Sequence, residues 1–303
     1  MASSGRLLSP GGRIARWTVG KLLGRGRFGE VYAGLEECSG LHVAIKVEDA
    51  KAAKGRLEHE AGVYEATKGM PGQAQSHWFG EQDGVLALVL DRLGPSVKAM
   101  HRAVGNLTEA ELRLVAQEVL DRLEALHGRG WLHGDIKPDN LLCPRGAVAL
   151  RPRAGGQPLV HCIDYGLSMP LRAGGADERA ARRGTLGAVR YASVSNQLLL
   201  PLGPRDDLEA LAYSLVYLHR GSLPWSEVSA PTQREKFALI REAKQREQPQ
   251  RLCAGMPPAF GEFLARCRGM DADEVPDYAE LRALLGVAGR KRRGRGRTKR
   301  ASS

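Results

Sequence analysis

The sequence predicts an α+β, bilobal fold, with an antiparallel β-sheet in a small first lobe and mainly helices in a large second lobe. Between residues 16 and 48, short β-prone runs alternate with glycines, a pattern typical of strands joined by tight turns. From Leu93-Gly94-Pro95 onward, the apolar residues recur at helical spacing instead. The chain has 303 residues, of which 43% are hydrophobic, so both lobes can bury a core.

The elements of the first lobe are predicted in chain order. Three runs, 17–19, 30–33 and 42–47, have the β-branched and aromatic residues of strands and are expected to form one sheet. A helix is predicted over 56–67, and the apolar run 84–90 is predicted to be another, buried strand. This order of elements indicates a sheet with one helix packed against it.

The second lobe is predicted to open with a long helix. Thr108 and Glu111 have the spacing of a capping box, which marks a helix start. Five apolar residues then share one helical face, as expected for a helix packed on a core; they are Leu112, Val115, Val119, Leu123 and Leu126. The rest of the lobe is predicted to be mainly helical, with loops at 129–136, 143–158 and 168–205.

The domain boundaries follow from these patterns and from the distribution of charge. We predict an N-terminal extension over 1–15, a small lobe over 16–92, a large lobe over 93–288 and a disordered basic tail over 289–303. The tail holds eight Lys or Arg residues and no acidic residue, which accounts for most of the formal net charge of +11.

The composition narrows the cellular compartment. The sequence has no run of eighteen apolar residues, so we expect no membrane span, and the N-terminus lacks the apolar core of a secretory signal. Its five cysteines are scattered without a Cys-x-x-Cys pair, which predicts reduced thiols in the cytoplasm and/or the nucleus. We also expect the chain to be a monomer.

A glycine-rich motif lies between the first two predicted strands. Gly24, Gly26 and Gly29 have the G-x-G-x-x-G spacing that lets backbone N–H groups approach phosphate oxygens. A dinucleotide-binding fold has the same spacing, and Asp49 lies near where its ribose-binding acid would be expected. That fold requires a helix directly after the glycines, whereas a strand is predicted here. If the motif stood alone, a plain hairpin turn would be the favoured interpretation.

A basic and an acidic residue follow the glycine motif at fixed positions. Lys46 ends the Val-Ala-Ile-Lys run of the third predicted strand, and Glu60 lies fourteen residues later in the predicted helix. Taken singly, each is explained by an ordinary solvated side chain.

Two polar motifs in the second lobe give the strongest signal for chemistry. The first is the run from His133 to Asn140, in which Asp135, Lys137 and Asn140 are spaced within six residues. The second is Asp164-Tyr165-Gly166, which follows an apolar run. The alternative interpretation is that these are two unrelated polar turns. It requires every one of these residues to fall in the right order by chance.

Together these motifs resemble those of protein kinases, and the resemblance covers about residues 16–286. Within the protein kinases, the run 190–195 resembles the Arg-Tyr-Ala-Ser-Ile-Asn of casein kinase 1. The runs 205–209, 220–225 and 276–278 are also similar to that family. His133-Gly134-Asp135 and Asp164-Tyr165-Gly166 resemble the vaccinia-related kinases instead. The chain is therefore interpreted as a divergent member related to both branches.

The resemblance implies a serine/threonine kinase that uses ATP and Mg²⁺. Asp135 would accept the proton of the substrate hydroxyl, and Lys137 would neutralise charge on the transferred phosphoryl group. Lys46 would hold the α- and β-phosphates of ATP, with Glu60 paired to its ammonium. Asn140 and Asp164 would bind Mg²⁺. The resemblance also implies a set of ATP-binding residues, with Leu90 as gatekeeper and 91–93 as hinge; the set is Gly24, Gly26, Phe28, Gly29, Val31, Ala44, Lys46, Glu60, Leu90, Asp91, Leu93 and Leu142.

The resemblance to casein kinase 1 further implies protein substrates that are acidic or already phosphorylated. Arg190 and Lys236 fall at the positions that hold a substrate phosphate in that family, although both are equally explained as ordinary surface cations. Three positions depart from the family pattern. Gly134 replaces an arginine that grips an activation-loop phosphate, Ala188 replaces a threonine near Asp135, and Ala99 replaces a ribose-contacting aspartate. A threonine at Thr185 would fit only with an insertion.

Two rival functions remain open at this point. A catalytically inactive scaffold would explain the departures from the family pattern, although the residues expected to touch ATP and metal are all present. A nucleic-acid binder would use the basic tail, because Arg-Gly repeats bind RNA through phosphate contacts. As accessory roles of the tail, RNA contact and contact with an importin through Lys291-Arg292-Arg293 are equally open.

Overall fold

The computed structural model describes residues 6–26, 29–152, 157–171 and 187–287. The strands in these ranges are β1 (Arg13–Ile14), β2 (Trp17–Arg25), β3 (Glu30–Glu36), β4 (Leu41–Asp49), β5 (Ser76–Gln82), β6 (Val85–Asp91), β7 (Trp131–Leu132), β8 (Leu141–Leu142), β9 (His161–Cys162) and β10 (Met169–Pro170). The helices are α1 (Arg56–Ala66), α2 (Val97–Val104), α3 (Glu109–His127), α4 (Val194–Gln197), α5 (Pro204–Arg220), α6 (Gln233–Arg246), α7 (Pro249–Leu252), α8 (Pro258–Gly269) and α9 (Tyr278–Leu284).

The first lobe contains a six-stranded sheet in the order β1-β2-β3-β4-β6-β5, with each neighbouring pair antiparallel. The three predicted strands and the buried strand near 84–90 are confirmed. Strand β4 alternates as a half-buried strand should: Val43, Ile45 and Val47 lie in an apolar core. The intervening side chains Ala44 and Lys46 therefore face the opposite side of the sheet, where α1 lies.

Helix α1 packs against β5 and β6 and against the 3₁₀ turn at Tyr165–Leu167. Its buried residues, Leu57, Glu60, Val63 and Tyr64, recur at helical spacing and so form one face. Glu60 is a charged residue on this otherwise apolar face. The fold thus points a carboxylate toward the side of the sheet that carries Lys46.

The second lobe is built on α3 and α5, which pack against each other. The capping box predicted at the start of α3 is present, because Thr108 N donates to Glu111 Oε2 at 2.9 Å and Glu111 N donates to Thr108 Oγ1. All five residues predicted on its apolar face are buried. Helix α5 is buried along nearly its full length, which places its acidic residues Asp206, Asp207 and Glu209 inside the lobe.

Several details of the predicted secondary structure are wrong. Strands β1 and β5 and helix α2 are absent from the prediction. The loop predicted over 129–136 contains β7, and the loop predicted over 168–205 contains β10 and α4 and reaches the start of α5. Helix α2 forms because Ser96 caps it, accepting from Ala99 N, and because Val97 and Met100 are buried on one face. None of the helices that the structure describes is both long and apolar enough to cross a membrane.

Candidate functional site

The glycine motif lies at the turn between β2 and β3. Gly24 is paired with Val31, and Gly26 N donates to Gly29 O at 2.9 Å. A Cβ on Gly29 would lie 2.1 Å from the carbonyl oxygen of Val47, so only glycine permits this close approach to β4. Phe28, predicted to contact ATP, lies outside the described residues. The turn therefore lies directly over the strand that carries Lys46.

Lys46 is held between two carboxylates from different parts of the fold. Its Nζ lies 2.5 Å from Glu60 Oε2 of α1 and 2.7 Å from Asp164 Oδ1. Burial alone would lower the pKa of Lys46, but the two carboxylates raise it above its ordinary value, so its ammonium stays charged. The predicted contact of Lys46 with Glu60 is thus present, and it joins the sheet, α1 and the Asp164 motif.

The pKa values of Glu60 and Asp164 shift in opposite directions overall, although Lys46 acts to lower both. Burial raises the pKa of Glu60 to about 7, with the Lys46 ammonium opposing the increase. Burial also acts to raise the pKa of Asp164, but the charge and hydrogen bond of Lys46 lower it overall. Asp164 therefore remains an anion at neutral pH, as a metal ligand must, whereas Glu60 titrates within the physiological range.

The predicted gatekeeper and hinge lie where β6 leaves the sheet. Leu90 is buried and pairs with Ala44 across β4 and β6. Asp91 is fixed on the other side, since its carboxylate contacts His77 Nε2 at 2.7 Å. Leu93 and Leu142 are brought near each other by the next turn, in which Cys143 N donates to Pro95 O and Ser96 forms a bridge with Leu142. The structure therefore places Leu90 beside Ala44, and the segment that follows Leu93 beside Leu142.

The catalytic-loop residues predicted from the sequence lie together around Asp135. Lys137 Nζ contacts Asp135 Oδ2 at 2.5 Å, and Asn140 Nδ2 lies 3.2 Å from the same oxygen and 2.9 Å from the Asp135 carbonyl. The other oxygen, Oδ1, accepts a hydrogen bond of 2.8 Å from the backbone N–H of Ala188. Asp135 is thus a buried carboxylate whose orientation is fixed on both oxygens.

A second buried carboxylate, that of Asp207 in α5, accepts hydrogen bonds from the backbone of this loop. Its oxygens accept from the backbone N–H groups of His133 at 2.7 Å and Gly134 at 2.9 Å, and His127 Nε2 lies 2.9 Å away. Burial alone would raise the pKa of Asp207, but these hydrogen bonds hold it below its ordinary value.

Gly134 adopts a φ of 76°, and a cavity of about 20 Å³, lined in part by Gly134 and Asp207, lies beside the loop. Sequence reasoning gave Asp207 no role.

Aromatic packing connects α1 to the catalytic loop. The rings of Tyr64 and Tyr165 are 4.9 Å apart and edge-to-face, and the rings of Tyr165 and His133 are 5.2 Å apart. All three residues are buried. Tyr165, the residue after Asp164, therefore packs against both the helix that carries Glu60 and the loop that carries Asp135.

The candidate Mg²⁺ ligands lie on adjoining segments. Ile163 N donates to Asn140 O at 3.1 Å, which places Asp164 beside Asn140, and Asp164 holds a φ of 70° that is uncommon for a residue other than glycine. The Nδ2 group of Asn140 is used by Asp135, so its side-chain oxygen is the atom suited to a metal. A carboxylate and an amide oxygen are hard ligands, and proteins commonly bind Mg²⁺ through one or two such groups together with substrate phosphates. The residues therefore fit the predicted ion.

The two residues predicted to hold a substrate phosphate lie on neighbouring elements. Arg190 is half-buried in the segment before α4, where its carbonyl accepts from Trp225 Nε1 at 2.7 Å. Lys236 is half-buried on α6, which packs against α4. Thr185 and the basic tail lie outside the described residues. At Ala99, which replaces the expected ribose-binding aspartate, the backbone N–H donates to Ser96 Oγ at 3.1 Å as part of the α2 cap.

In a comparison with protein-family models, the model described as the protein kinase domain matches residues 17–276. This range covers most of the chain and includes the glycine motif, Lys46, the loop around Asp135 and Asp164.

Proposed function

The chain belongs to the protein kinase family, and we propose that it is a serine/threonine kinase that phosphorylates acidic or pre-phosphorylated proteins. The domain supports ATP-dependent phosphoryl transfer to protein substrates, whereas the choice of hydroxyl and of substrate charge belongs to the proposal. The observation that carries it is the joint arrangement of the Lys46, Glu60 and Asp164 cluster with the Asp135, Lys137 and Asn140 cluster. A scaffold without activity would not need both.

The first cluster is suited to hold a nucleotide triphosphate. An ammonium fixed by two carboxylates cannot swing into solvent, so Lys46 is pre-organised to meet phosphate oxygens. Asp164 and Asn140 would hold Mg²⁺, which when bound neutralises charge on the β- and γ-phosphates. Gly29 permits the close approach of the glycine motif to β4, since an added Cβ there would lie 2.1 Å from the carbonyl oxygen of Val47.

The second cluster is suited to activate a hydroxyl group. Asp135 is oriented by hydrogen bonds on both carboxylate oxygens, so it can accept the proton of an incoming hydroxyl without first reorganising. Lys137 contacts the same carboxylate and would stabilise the charge of the transferred group. The lysine two residues after the catalytic aspartate is typical of serine/threonine kinases, and it supports that specificity here.

We propose activity without phosphorylation of the activation segment. At Gly134 the family arginine that grips such a phosphate is absent, and the backbone N–H of this residue is already held by Asp207. Treatment with a phosphatase should therefore leave most of the rate. A large loss that a second kinase restores would overturn this part of the proposal.

The preference for negative charge rests on Arg190 and Lys236 and on the resemblance to casein kinase 1. An arginine can hold phosphate through two N–H groups, and a lysine adds a compact charge. Binding a remote part of the substrate in this way can be used to lower the transition-state energy. On the same resemblance, we propose that the chain is a divergent relative of the casein kinase 1 family with features of the vaccinia-related kinases.

We propose that the basic tail over 289–303 acts outside catalysis, in nuclear import or in contact with RNA. Eight positive charges should bind polyanions in a salt-dependent way. A chain truncated after Gly289 should lose nuclear enrichment or RNA binding while keeping turnover on a peptide. We further propose a monomer located in the cytoplasm, the nucleus or both.

The substrate class is tested with purified protein, labelled ATP-Mg²⁺, casein and a basic control protein. Phosphoamino acid analysis of the products should show phosphoserine or phosphothreonine, with more label in casein than in the basic protein. Asp164→Asn is the control, since it removes the carboxylate charge that would bind Mg²⁺ while keeping the side chain nearly the same size. Label on tyrosine, or equal label in both proteins, would contradict the corresponding part of the proposal.

A further inference from the structure

Lys244 on α6 is a fully buried lysine without a carboxylate partner. Its side chain has no exposed surface, and no carboxylate oxygen among the described residues lies within ion-pair distance of its ammonium. Burying an ammonium is costly unless hydrogen bonds replace its water. Here Nζ donates to the carbonyl oxygens of Val189 at 2.7 Å and Ala192 at 2.6 Å.

Two aromatic rings and two charged side chains surround the amino group of Lys244. The rings of Tyr213 and Trp225 lie 5.0 Å and 5.2 Å from its Nζ, close enough for cation–π attraction when the amine is protonated. Two charged groups face this position from other helices. Glu209 of α5 is occupied by the hydroxyl of Tyr213 and by Val194 N, and Arg268 of α8 donates to the backbone carbonyl of Lys244.

The two carbonyls bound by Lys244 belong to a compact turn, residues 188–192. Ala188 O accepts from both Tyr191 N and Ala192 N, at 2.8 Å and 3.0 Å, so the turn is closed on itself. Trp225 Nε1 holds a third carbonyl of the turn, that of Arg190. Lys244 therefore grips the turn at two points and Trp225 at a third, and the turn is restrained as one unit.

The same turn contacts Asp135 through its first residue. Ala188 N donates to Asp135 Oδ1 at 2.8 Å, and at Gly187 (φ 71°) an added Cβ would lie 2.6 Å from that oxygen. The turn thus meets Asp135 through its backbone alone. A shift of the turn would move or break this hydrogen bond directly.

We propose that Lys244 is a positioning residue for phosphoryl transfer: by holding the Val189 and Ala192 carbonyls, it keeps the Ala188 amide on Asp135 and so fixes the orientation of the catalytic carboxylate. The inference rests on the proposed function, because it assigns Asp135 as the group that accepts the hydroxyl proton. Lys244, which is not among the predicted site residues, would thus affect the rate of phosphoryl transfer.

The test is a double-mutant cycle on the full chain, with single-turnover transfer from labelled ATP-Mg²⁺ to a serine peptide. Lys244→Met keeps the length of the side chain and removes its N–H donors. Since a displacement of about 1 Å can cost ~100-fold in rate, we expect kcat to fall by about 10- to 100-fold. The KM for ATP should change by less than about twofold, because ATP is held elsewhere.

The decisive comparison is made in an Asp135→Ala background, in which the acceptor of the Ala188 amide is gone. There the further loss caused by Lys244→Met should be under about threefold, because the two residues act through one contact. An equal loss in both backgrounds would overturn the proposal, as would a lower melting temperature with kcat unchanged. Arg246→Met, at an exposed cation on the same helix, is the matched control and should leave kcat unchanged.

Trp225→Phe provides an independent variant in case Lys244→Met does not fold. It removes the donor to the Arg190 carbonyl and keeps the ring, so it should lower kcat by a smaller factor with the same dependence on Asp135. A loss that persists in the Asp135→Ala background would contradict the proposal. If the wild-type chain transferred no phosphate at all, the proposed function itself would fail, a result distinct from either outcome of the cycle.

Discussion

The backbone N–H of Ala188 donates a 2.8 Å hydrogen bond to Oδ1 of Asp135. The sequence shows at this position only the loss of a threonine hydroxyl expected from the family resemblance. The structure shows that the backbone amide of Ala188 donates to the Asp135 carboxylate instead. Although the threonine is replaced by alanine, Asp135 Oδ1 therefore still has a hydrogen-bond partner. The activation segment is therefore joined to the catalytic loop by main-chain geometry, which depends on the residue before Ala188.

Gly187→Ala should abolish most activity. A Cβ at this position would lie 2.6 Å from Asp135 Oδ1 and 2.7 Å from Gly134 O, so the turn must move away from the carboxylate. We expect kcat to fall by about 100-fold or more, with ATP affinity nearly unchanged. Steady-state kinetics with a serine peptide measure the rate.

The matched control for this change is Gly40→Ala. Gly40 has a φ of 69°, close to the 71° of Gly187, but an added Cβ there meets no atom within 4 Å. It carries the same backbone strain of about 1–2 kcal/mol without the clash. If both variants lost activity equally, backbone strain would explain the loss and the contact with Asp135 would not.

Glu60→Gln should weaken catalysis while preserving the fold. The change removes the charge that holds Lys46 at 2.5 Å, and charge-assisted hydrogen bonds are worth about 1.5–3 kcal/mol, so kcat/KM should fall by about 10- to 100-fold. Glu58→Gln, at an exposed glutamate of the same helix, should have little effect. Equal activity of Glu60→Gln and the wild type would show that Lys46 does not need this partner.

The same residue predicts a pH dependence. Because burial raises the pKa of Glu60 to about 7, lowering the pH through 7 protonates Glu60 and removes one of the two negative charges that hold Lys46. The kcat/KM of the wild type should therefore decrease on the acid side of pH 7, and Glu60→Gln should lack this inflection. Superimposable profiles for the two proteins would assign the inflection to another group.

Lys244 should make stability depend on pH above neutrality. Burial lowers its pKa to about 7, so between pH 7 and its unfolded value near 10.5 the unfolded chain binds more protons than the folded chain. Stability therefore rises with pH in this window, by roughly 2 kcal/mol between pH 7 and 9 relative to Lys244→Met, at ~1.4 kcal/mol per unit. Urea unfolding of both proteins at the two pH values measures this difference. Parallel changes would show that Lys244 titrates at its ordinary pKa.

Short-range features of this fold are predictable because they depend on neighbouring residues. The start of α3 follows from Thr108 and Glu111, three positions apart, and the strand β4 follows from its alternation. Strand β5 is not predictable in the same way. Its Ser76–Gln82 run is mostly polar and only partly buried, and it becomes a strand because β6 pairs with it. The edge strand thus depends on a partner rather than on its own pattern.

The residues of the candidate site are likewise of two kinds: those that a local motif predicts and those that only the tertiary fold identifies. Lys46, Glu60, Asp135 and Asp164 are recognisable because each belongs to a motif with fixed spacing. Lys244 belongs to none, since α6 is rich in charge and a lysine there is expected to be solvated. Its carbonyl partners lie 52 and 55 residues earlier, so only the tertiary fold identifies it. The roles assigned to Arg190 and Lys236 stay predictions.

Arg190 and Lys236 should confer a preference for substrates that already carry phosphate. A peptide with phosphoserine three residues before the acceptor should have a kcat/KM at least about tenfold above the unmodified peptide, since one charged hydrogen bond is worth ~1.5 kcal/mol or more. Arg190→Ala with Lys236→Ala should remove this difference and spare the unprimed rate. Arg246→Ala should leave the preference intact. No preference in the wild type would mean that this specificity is absent.

The most direct test of a catalytic role for this site is single-turnover transfer to a serine peptide by the wild type and by Asp135→Asn, with ATP-Mg²⁺ binding measured in parallel. The substitution keeps the size of the side chain but removes the carboxylate that would accept the hydroxyl proton. The account predicts equal ATP binding by both proteins and a transfer rate at least about 100-fold lower in the variant. Equal transfer rates, or no transfer by a folded wild type that binds ATP, would contradict it.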